Sequence, residues 1–183
     1  MKKIIFLTNY KGIIPQRNNE IEGLKLNLIS EVLKANNFKV QEITITAFIA
    51  DLKEKESIEG VYFYYTSSQY PIYKSFILDI LIQIILRGGI LVPELRHFMA
   101  HENKNFQELE KVRLGIRSPY GIPVGTYEEG LEILNKISYP TVLKKYTGFR
   151  SRNVKLANNR EEGKKILSKM LEKNFQLNID SLY

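Results

Sequence analysis

Residues 139–158 read YPTVLKKYTGFRSRNVKLAN, and this stretch decides how the second half of the chain is interpreted. A strand-like segment ends in Lys144, a basic loop with one glycine follows, and a second strand-like segment begins near Val154. The pattern predicts a β-hairpin with a basic tip. Backbone amides of a glycine-containing turn, with cations beside them, can hold a polyphosphate. An ordinary hairpin with a solvated basic tip fits the same residues, so both interpretations stay open here.

Composition limits the class of protein. The chain has 183 residues, 44% of them hydrophobic, which allows one ordinary domain or one and a half small ones. Its net charge is +7, and residues 144–173 alone hold 10 basic and 3 acidic side chains. The positive charge is therefore local, which favours an anionic ligand in that region. The absence of cysteine excludes disulfides, thiol nucleophiles and cysteine-ligated metals, and it fits the reducing cytoplasm in which we expect the protein.

The apolar segments are too short for a membrane or for export. The run that begins at Ile4 stops at Thr8, which is too short for the apolar region of a signal peptide. The run at 76–86 is broken by Asp79 and Gln83 and is shorter than a bilayer span. We therefore expect no membrane partner.

Strand and helix patterns alternate over the first half of the chain. Short apolar runs predict strands, and apolar residues at helical spacing predict the helices between them. The predicted strands are 3–7, 39–46, 60–65 and 90–92, and the predicted helices are 20–35, 48–55 and 73–87. This order indicates an α/β fold: a small parallel, Rossmann-like sheet with helices on both faces.

After Val92 the pattern changes, so we place a boundary between Pro93 and Ile122 and predict domains at 1–100 and 101–183. Three helix starts follow that boundary. A capping residue with glutamate three positions later predicts them at Asn105, Thr126 and Asn159. With the hairpin between the last two, the second domain is predicted to be α+β.

The order of these pieces resembles the ATP-grasp superfamily of carboxylate–amine ligases. A small α/β unit leads to Lys104, then to a Gly121-Ile122-Pro123 turn, a Pro-x-Val-x-Lys strand at 140–144 and the basic glycine loop. The resemblance covers the amino-terminal half of such a ligase: a pre-ATP-grasp domain at 1–100 and part of an ATP-grasp domain at 101–183.

The resemblance implies roles for five residues of a site for ATP, and no catalytic residue is assigned. Lys104 would contact phosphate from the edge of the cleft, and Lys144 would reach the α and β phosphates. Gly148, Arg150 and Ser151 would belong to the loop that closes over the γ phosphate. The family often has a second glycine where this chain has Asn153.

The family's magnesium ligands are expected beyond Tyr183, so no metal ligand is assigned in this chain, although the complete enzyme would use Mg²⁺. We expect the chain alone to bind nucleotide weakly and to be inactive. A truncated chain, a split subunit that needs a complementary carboxy-terminal chain, and a degenerate binding module all stay open.

Hydroxyls at the end of a predicted strand supply a candidate substrate site. Ser67 and Ser68 follow the strand at 60–65, where open parallel sheets present ligands, and we expect them to touch a small-molecule carboxylate acceptor. The competing interpretation is that they cap the helix that follows.

Three other interpretations were weighed. His97 and His101 would share one face of a helix, but no cysteine and no third histidine exist to complete a metal site. Ser67 and Ser68 lack the flanking glycines of a hydrolase nucleophile. The basic region 144–173 could bind nucleic acid, a less favoured partner, and the apolar helix 73–87 could serve a noncatalytic homodimer.

Overall fold

The computed structural model describes residues 1–16, 19–53, 57–119, 121–146 and 153–175. The chain divides into two compact units, Met1–Met99 and Ala100–Tyr183. That the first is a pre-ATP-grasp domain and the second a partial ATP-grasp domain stays a prediction.

The first unit is built on a parallel sheet. Its elements are β1 (Lys2–Thr8), β2 (Pro15–Gln16), β3 (Asn19–Gly23), α1 (Leu26–Ala35), β4 (Phe38–Thr44), α2 (Ile45–Lys53), β5 (Tyr62–Tyr65), α3 (Pro71–Leu86), β6 (Ile90–Val92) and α4 (Leu95–Ala100). Strands β4, β1, β5 and β6 lie side by side in that order, and all neighbours are parallel. The predicted parallel α/β fold is confirmed.

Both faces of the sheet are buried at β1, which explains the unbroken apolar run of this strand. Ile5 and Leu7 join a core with residues of α2, α3 and α4, whereas Ile4 and Phe6 join a second core with Leu26 of α1. Successive side chains of a strand point to opposite faces, so β1 supplies both cores in turn. Helices therefore lie on both faces, as predicted.

One predicted helix start is wrong. Residues 20–25 were expected to begin a helix, but β3 pairs there with β2 in an antiparallel hairpin, and α1 begins only at Leu26. The amide of Leu24 donates to the carbonyl of Ile14 over 2.9 Å. A Cβ on Gly23 would lie 2.9 Å from the Cβ of Ile13, so the missing side chain of this glycine allows the close approach.

The second unit combines helices with a two-stranded sheet. Its elements are α5 (Lys104–Arg113), α6 (Tyr127–Leu134), β7 (Thr141–Lys144), β8 (Val154–Ala157) and α7 (Arg160–Phe175). Strands β7 and β8 are antiparallel, with Lys144 opposite Val154, which confirms the predicted hairpin. Leu134, Ala157 and Leu167 are its buried apolar residues among those described.

Two of the three predicted helix caps are confirmed. Thr126 and Glu129 form a reciprocal capping box at α6, and the Asn159 side chain accepts from the amide of Glu162 at α7. The predicted cap at Asn105 is wrong. Asn103 caps α5 instead, accepting from the Phe106 amide at 3.1 Å, so Asn105 lies inside the first turn. An N-cap side chain must accept from the amide three residues later. Asn103 and Asn105 can both do this chemically, so residue type alone does not show which of them caps the helix.

Candidate functional site

One face of the β7–β8 hairpin is exposed and carries a lysine. Val142 and Lys144 alternate with partly buried residues in β7, so they share a face. The register places Leu156 opposite Val142, and paired residues of an antiparallel sheet lie on the same face. Val142 and Leu156 are 49% and 56% exposed, and Lys144 is exposed. The face is an apolar platform with an ammonium group at its loop end.

Lys104 begins α5 close to the end of this hairpin. Its backbone amide donates to the carbonyl of Tyr146 over 2.9 Å, and Tyr146 lies two residues beyond Lys144. The Lys145 amide donates to the carbonyl of Asn153, which extends the pairing of the two strands by one bond. The backbone segments that carry the two predicted nucleotide lysines are therefore in hydrogen-bond contact. The roles of both side chains stay predictions.

The remaining three predicted nucleotide residues are Gly148, Arg150 and Ser151. They fall in 147–152, outside the described residues, and their assignment stays a prediction.

Several carboxylates of the second unit are engaged in helix caps and ion pairs. Hydrogen bonds from the amides of Gly125 and Thr126 lower the pKa of Glu129, and those from the Asn158 amide and side chain lower that of Glu162. A hydrogen bond from Lys164 lowers the pKa of Glu161. These contacts favour the charged form of each carboxylate.

The described residues suit ATP better than magnesium. Lys144, Lys104 and the exposed apolar platform offer cations and a flat surface, which fit a nucleotide. No group of three or more histidine or acidic residues that could hold a metal ion occurs within the described ranges. The donor set present there does not fit Mg²⁺, and no step is assigned to it.

Ser67 and Ser68 line a cleft in the first unit. The cleft has a volume of about 460 Å³ and lies where β1 and β5 end. The Ser68 hydroxyl is buried and accepts from the Tyr70 amide at 3.1 Å, so it orders the turn before α3. Tyr70 is the N-cap of α3, and no side chain caps that helix start. Ser68 thus has a structural role, while contact of either serine with substrate stays a prediction.

Sequence reasoning missed most of this cleft. Its other lining residues are Asn9, Tyr10, Pro15, Tyr70, Ile72, Tyr73 and Phe76. The useful signal was the polar Asn9-Tyr10 pair directly after a buried strand, because adjacent parallel strands end at one edge of a sheet.

The two histidines were expected on one helix, but the structure places only His97 in a helix. His97 lies in α4, which ends at Ala100, and His101 lies in the following turn. Glu102 adopts a left-handed φ of 55°, a conformation outside the helical range, so the turn departs from the helix there. The two imidazoles therefore do not lie on one face of a single helix.

Within the described part of the chain, no helix has the length and hydropathy needed to cross a membrane.

No protein-family model matches the chain, and no curated protein matches it in sequence. Among solved structures, it is similar to the crystal structure of a RimK domain protein ATP-grasp from Sphaerobacter thermophilus DSM 20745, at a TM-score of 0.49 and 12% identity. The match covers 91% of this chain and 59% of the other, so this chain spans less than two thirds of its length.

Proposed function

We propose that this chain is the nucleotide-binding, amino-terminal part of an ATP-dependent ligase that joins a carboxylate to an amine. The observation that carries the proposal is the exposed face of the β7–β8 hairpin, where Val142 and Leu156 form an apolar platform and Lys144 stands at its end. The resemblance to ATP-grasp ligases implies a phosphate contact for Lys144, and the role of Val142 and Leu156 is part of the present proposal.

The platform and the lysine suit the two ends of a nucleotide. Two residues that are two positions apart in a strand are separated by about 7 Å. If the base lies on Val142, Lys144 therefore lies about that far along the strand, near the phosphates of the same nucleotide. The local surplus of basic residues in 144–173 adds positive charge where phosphates need neutralising. In this arrangement the apolar platform binds the base and Lys144 positions the polyphosphate.

Ligases of this class transfer the γ-phosphoryl group of ATP to a carboxylate oxygen, and an amine then attacks the acyl phosphate and releases phosphate. Such chemistry depends on positioning and charge compensation, which Lys104 and Lys144 would supply from this chain. The partners proposed are ATP and a small-molecule carboxylate. A complementary carboxy-terminal chain or a homodimer is proposed as a further partner.

The test is an ATP titration by calorimetry on the full chain and on matched lysine variants. Lys144→Ala should weaken binding at least tenfold, because one charge-assisted phosphate contact is lost, on the order of 1.5–3 kcal/mol. Lys155→Ala is the control: it removes an equal charge from the same hairpin, but Lys155 pairs with Leu143 and so lies on the opposite face. It should change affinity by less than about threefold, as expected for an exposed charge.

If both variants lost the same ATP affinity, the binding would depend on the overall positive charge of the hairpin and not on a specific contact of Lys144. Unchanged binding in Lys144→Ala would contradict the lysine assignment.

Nucleic acid binding is kept as a second candidate because Tyr146, beside Lys144 and Lys145, is about half exposed and could stack on a base. It differs from the first proposal in its salt dependence: affinity for unrelated oligonucleotides should fall steeply between 50 and 200 mM salt, on the order of a thousandfold for an extended contact. An oligonucleotide that fails to bind at low salt would eliminate it.

A further inference from the structure

We propose that the strand-end cleft of the first unit binds an uncharged aromatic ring carried by a small molecule. Binding of the ring is independent of the proposed function. The further statement that the ring belongs to the acceptor of the ligase rests on the proposed function.

The position and size of the cleft favour a small ligand. It lies at the carboxyl ends of β1 and β5, which are adjacent strands of the parallel sheet, and such an edge is where open α/β sheets bind ligands. Its volume of about 460 Å³ falls in the range of roughly 300–1,000 Å³ that holds small molecules. A small molecule is therefore large enough to fill the cleft.

Four aromatic rings dominate the lining. Tyr10 meets Tyr73 edge to face, with ring centroids 6.1 Å apart, and Tyr73 stacks on Phe76 at 5.9 Å and 18°. Tyr70 is the fourth ring. Edge-to-face and offset-stacked rings extend readily to one further ring, because each added ring meets a complementary edge or face.

The lining disfavours a charged group in the part of the ligand that lies inside the cleft. All of its residues have uncharged side chains. The ammonium of Lys11 lies 5.4 Å from the centre of the Tyr10 ring, so this ring already faces a cation, and a cationic ligand would meet like charge. A carboxylate placed away from Lys11, in the apolar part of the cleft, would lose hydration without a cation among the lining residues. An uncharged ring avoids both costs.

Side chains of the first unit hydrogen-bond to the backbone of the turns that carry two of the rings. The buried Asn9 side chain accepts from the amides of Lys11 and Ile13, which holds Tyr10 in a hydrogen-bonded turn. The buried Ser68 hydroxyl holds Tyr70 in the same manner. Yet Tyr10 and Tyr70 are 63% and 64% exposed. Both rings gain apolar burial when a ligand covers them, and the backbone that carries them is already hydrogen-bonded.

The experiment titrates the full chain with 2-naphthol and observes the tyrosine ring signals by NMR with ring-labelled tyrosine. The saturated analogue decahydro-2-naphthol is the matched ligand, since it has the same carbon skeleton and hydroxyl but no aromatic face. We expect 2-naphthol to shift the Tyr10, Tyr70 and Tyr73 signals and to bind about three- to tenfold more tightly than the saturated analogue.

Two cleft variants and one control locate the site. Tyr73→Leu keeps an apolar side chain at a half-buried position, and Tyr70→Ala removes an exposed ring without touching the core. Each should weaken 2-naphthol binding about three- to tenfold. Tyr62→Leu is the control: Tyr62 is also half-buried but packs against the other core, and this variant should leave affinity unchanged.

Equal affinity for the two ligands, no saturable binding, or equal losses in Tyr62→Leu would each overturn the proposal. ATP titrations of the same variants separate it from the proposed function. Cleft variants should keep ATP affinity, and Lys144→Ala should keep 2-naphthol affinity, so either site can fail without the other.

Discussion

The sheet of the first unit and the hairpin of the second use their strands for different purposes. In β5, Phe63 and Tyr65 enter one core and Tyr62 and Tyr64 pack against the other, so both faces are covered. In the hairpin, Ala157 is buried and the strands contact α7, whereas the face with Val142 stays exposed. Substitutions in the buried sheet should therefore lower the free energy of unfolding, whereas substitutions on the exposed hairpin face should lower the affinity for ligand.

The largest expected effect is in the sheet. Phe63 is fully buried, and its ring lies 5.3 Å from that of Phe48. Phe63→Ala should lower the free energy of unfolding by about 3–5 kcal/mol, since it removes a large apolar side chain and leaves a cavity. Urea denaturation followed by circular dichroism measures the change.

The control for this prediction is Tyr146→Ala in the second unit, where the ring is about half exposed. Replacement of this half-exposed side chain should change the free energy of unfolding by no more than about 1 kcal/mol. If the two variants lost similar stability, the contrast between a buried sheet and an exposed hairpin end would be broken.

A smaller effect is expected at the start of α6, which depends on hydrogen bonds. Thr126 accepts from the Glu129 amide, and the Glu129 carboxylate accepts from the amides of Gly125 and Thr126. Thr126→Ala should cost about 1 kcal/mol of stability, because it leaves one helix-end amide without its acceptor. The same urea denaturation measures it, with Thr141→Ala as a threonine control from β7.

The capping box also predicts a dependence on pH. Amide hydrogen bonds, that of Gly125 first, lower the pKa of Glu129 below its ordinary value of 4.5 in the folded chain. Below that ordinary value the unfolded chain binds the proton first, so this contribution is present above pH 4.5 and is lost as pH falls through the lowered pKa. Glu129→Gln should therefore flatten the acid limb of the stability curve, and an unchanged limb would contradict the assignment.

The sequence predicted what depends on local patterns. The run of β1 is predictable because a strand buried on both faces is continuously apolar, and the cap at Thr126 because its partner is three residues away. The run of β6 is predictable as a short apolar segment, although only Leu91 is buried in it. The hairpin at 15–23 is not predicted from the sequence. It depends on the close approach of Gly23 to Ile13, ten residues earlier, and the helical spacing of apolar residues does not indicate that contact.

The two candidate sites show the same limit. The role of Lys144 is predicted from a strand and loop that are contiguous in sequence, whereas the apolar platform beside it depends on the register that places Leu156 opposite Val142. The aromatic cleft joins Tyr10 to Tyr73, and only the adjacency of β1 and β5 brings these residues together. Tyr73 had been assigned to a helix pattern, where an aromatic residue usually belongs to the core.

The smallest effect on stability is expected on the exposed hairpin face, where the comparison is sharpest. Val142→Ser removes apolar surface that is already 49% exposed, so the free energy of unfolding should change by less than about 1 kcal/mol. If the platform holds the base of ATP, the same substitution should weaken ATP binding about three- to tenfold, because apolar area covered by the base is lost.

Leu143→Ser supplies the opposite result one residue along the strand. Leu143 is partly buried on the face that packs within the unit, so its replacement should cost stability while ATP affinity of the folded fraction stays unchanged. Calorimetric titration with ATP and urea denaturation of both variants give a two-by-two comparison. Loss of ATP affinity in Leu143→Ser but not in Val142→Ser would place the nucleotide on the wrong face of the hairpin and overturn the platform.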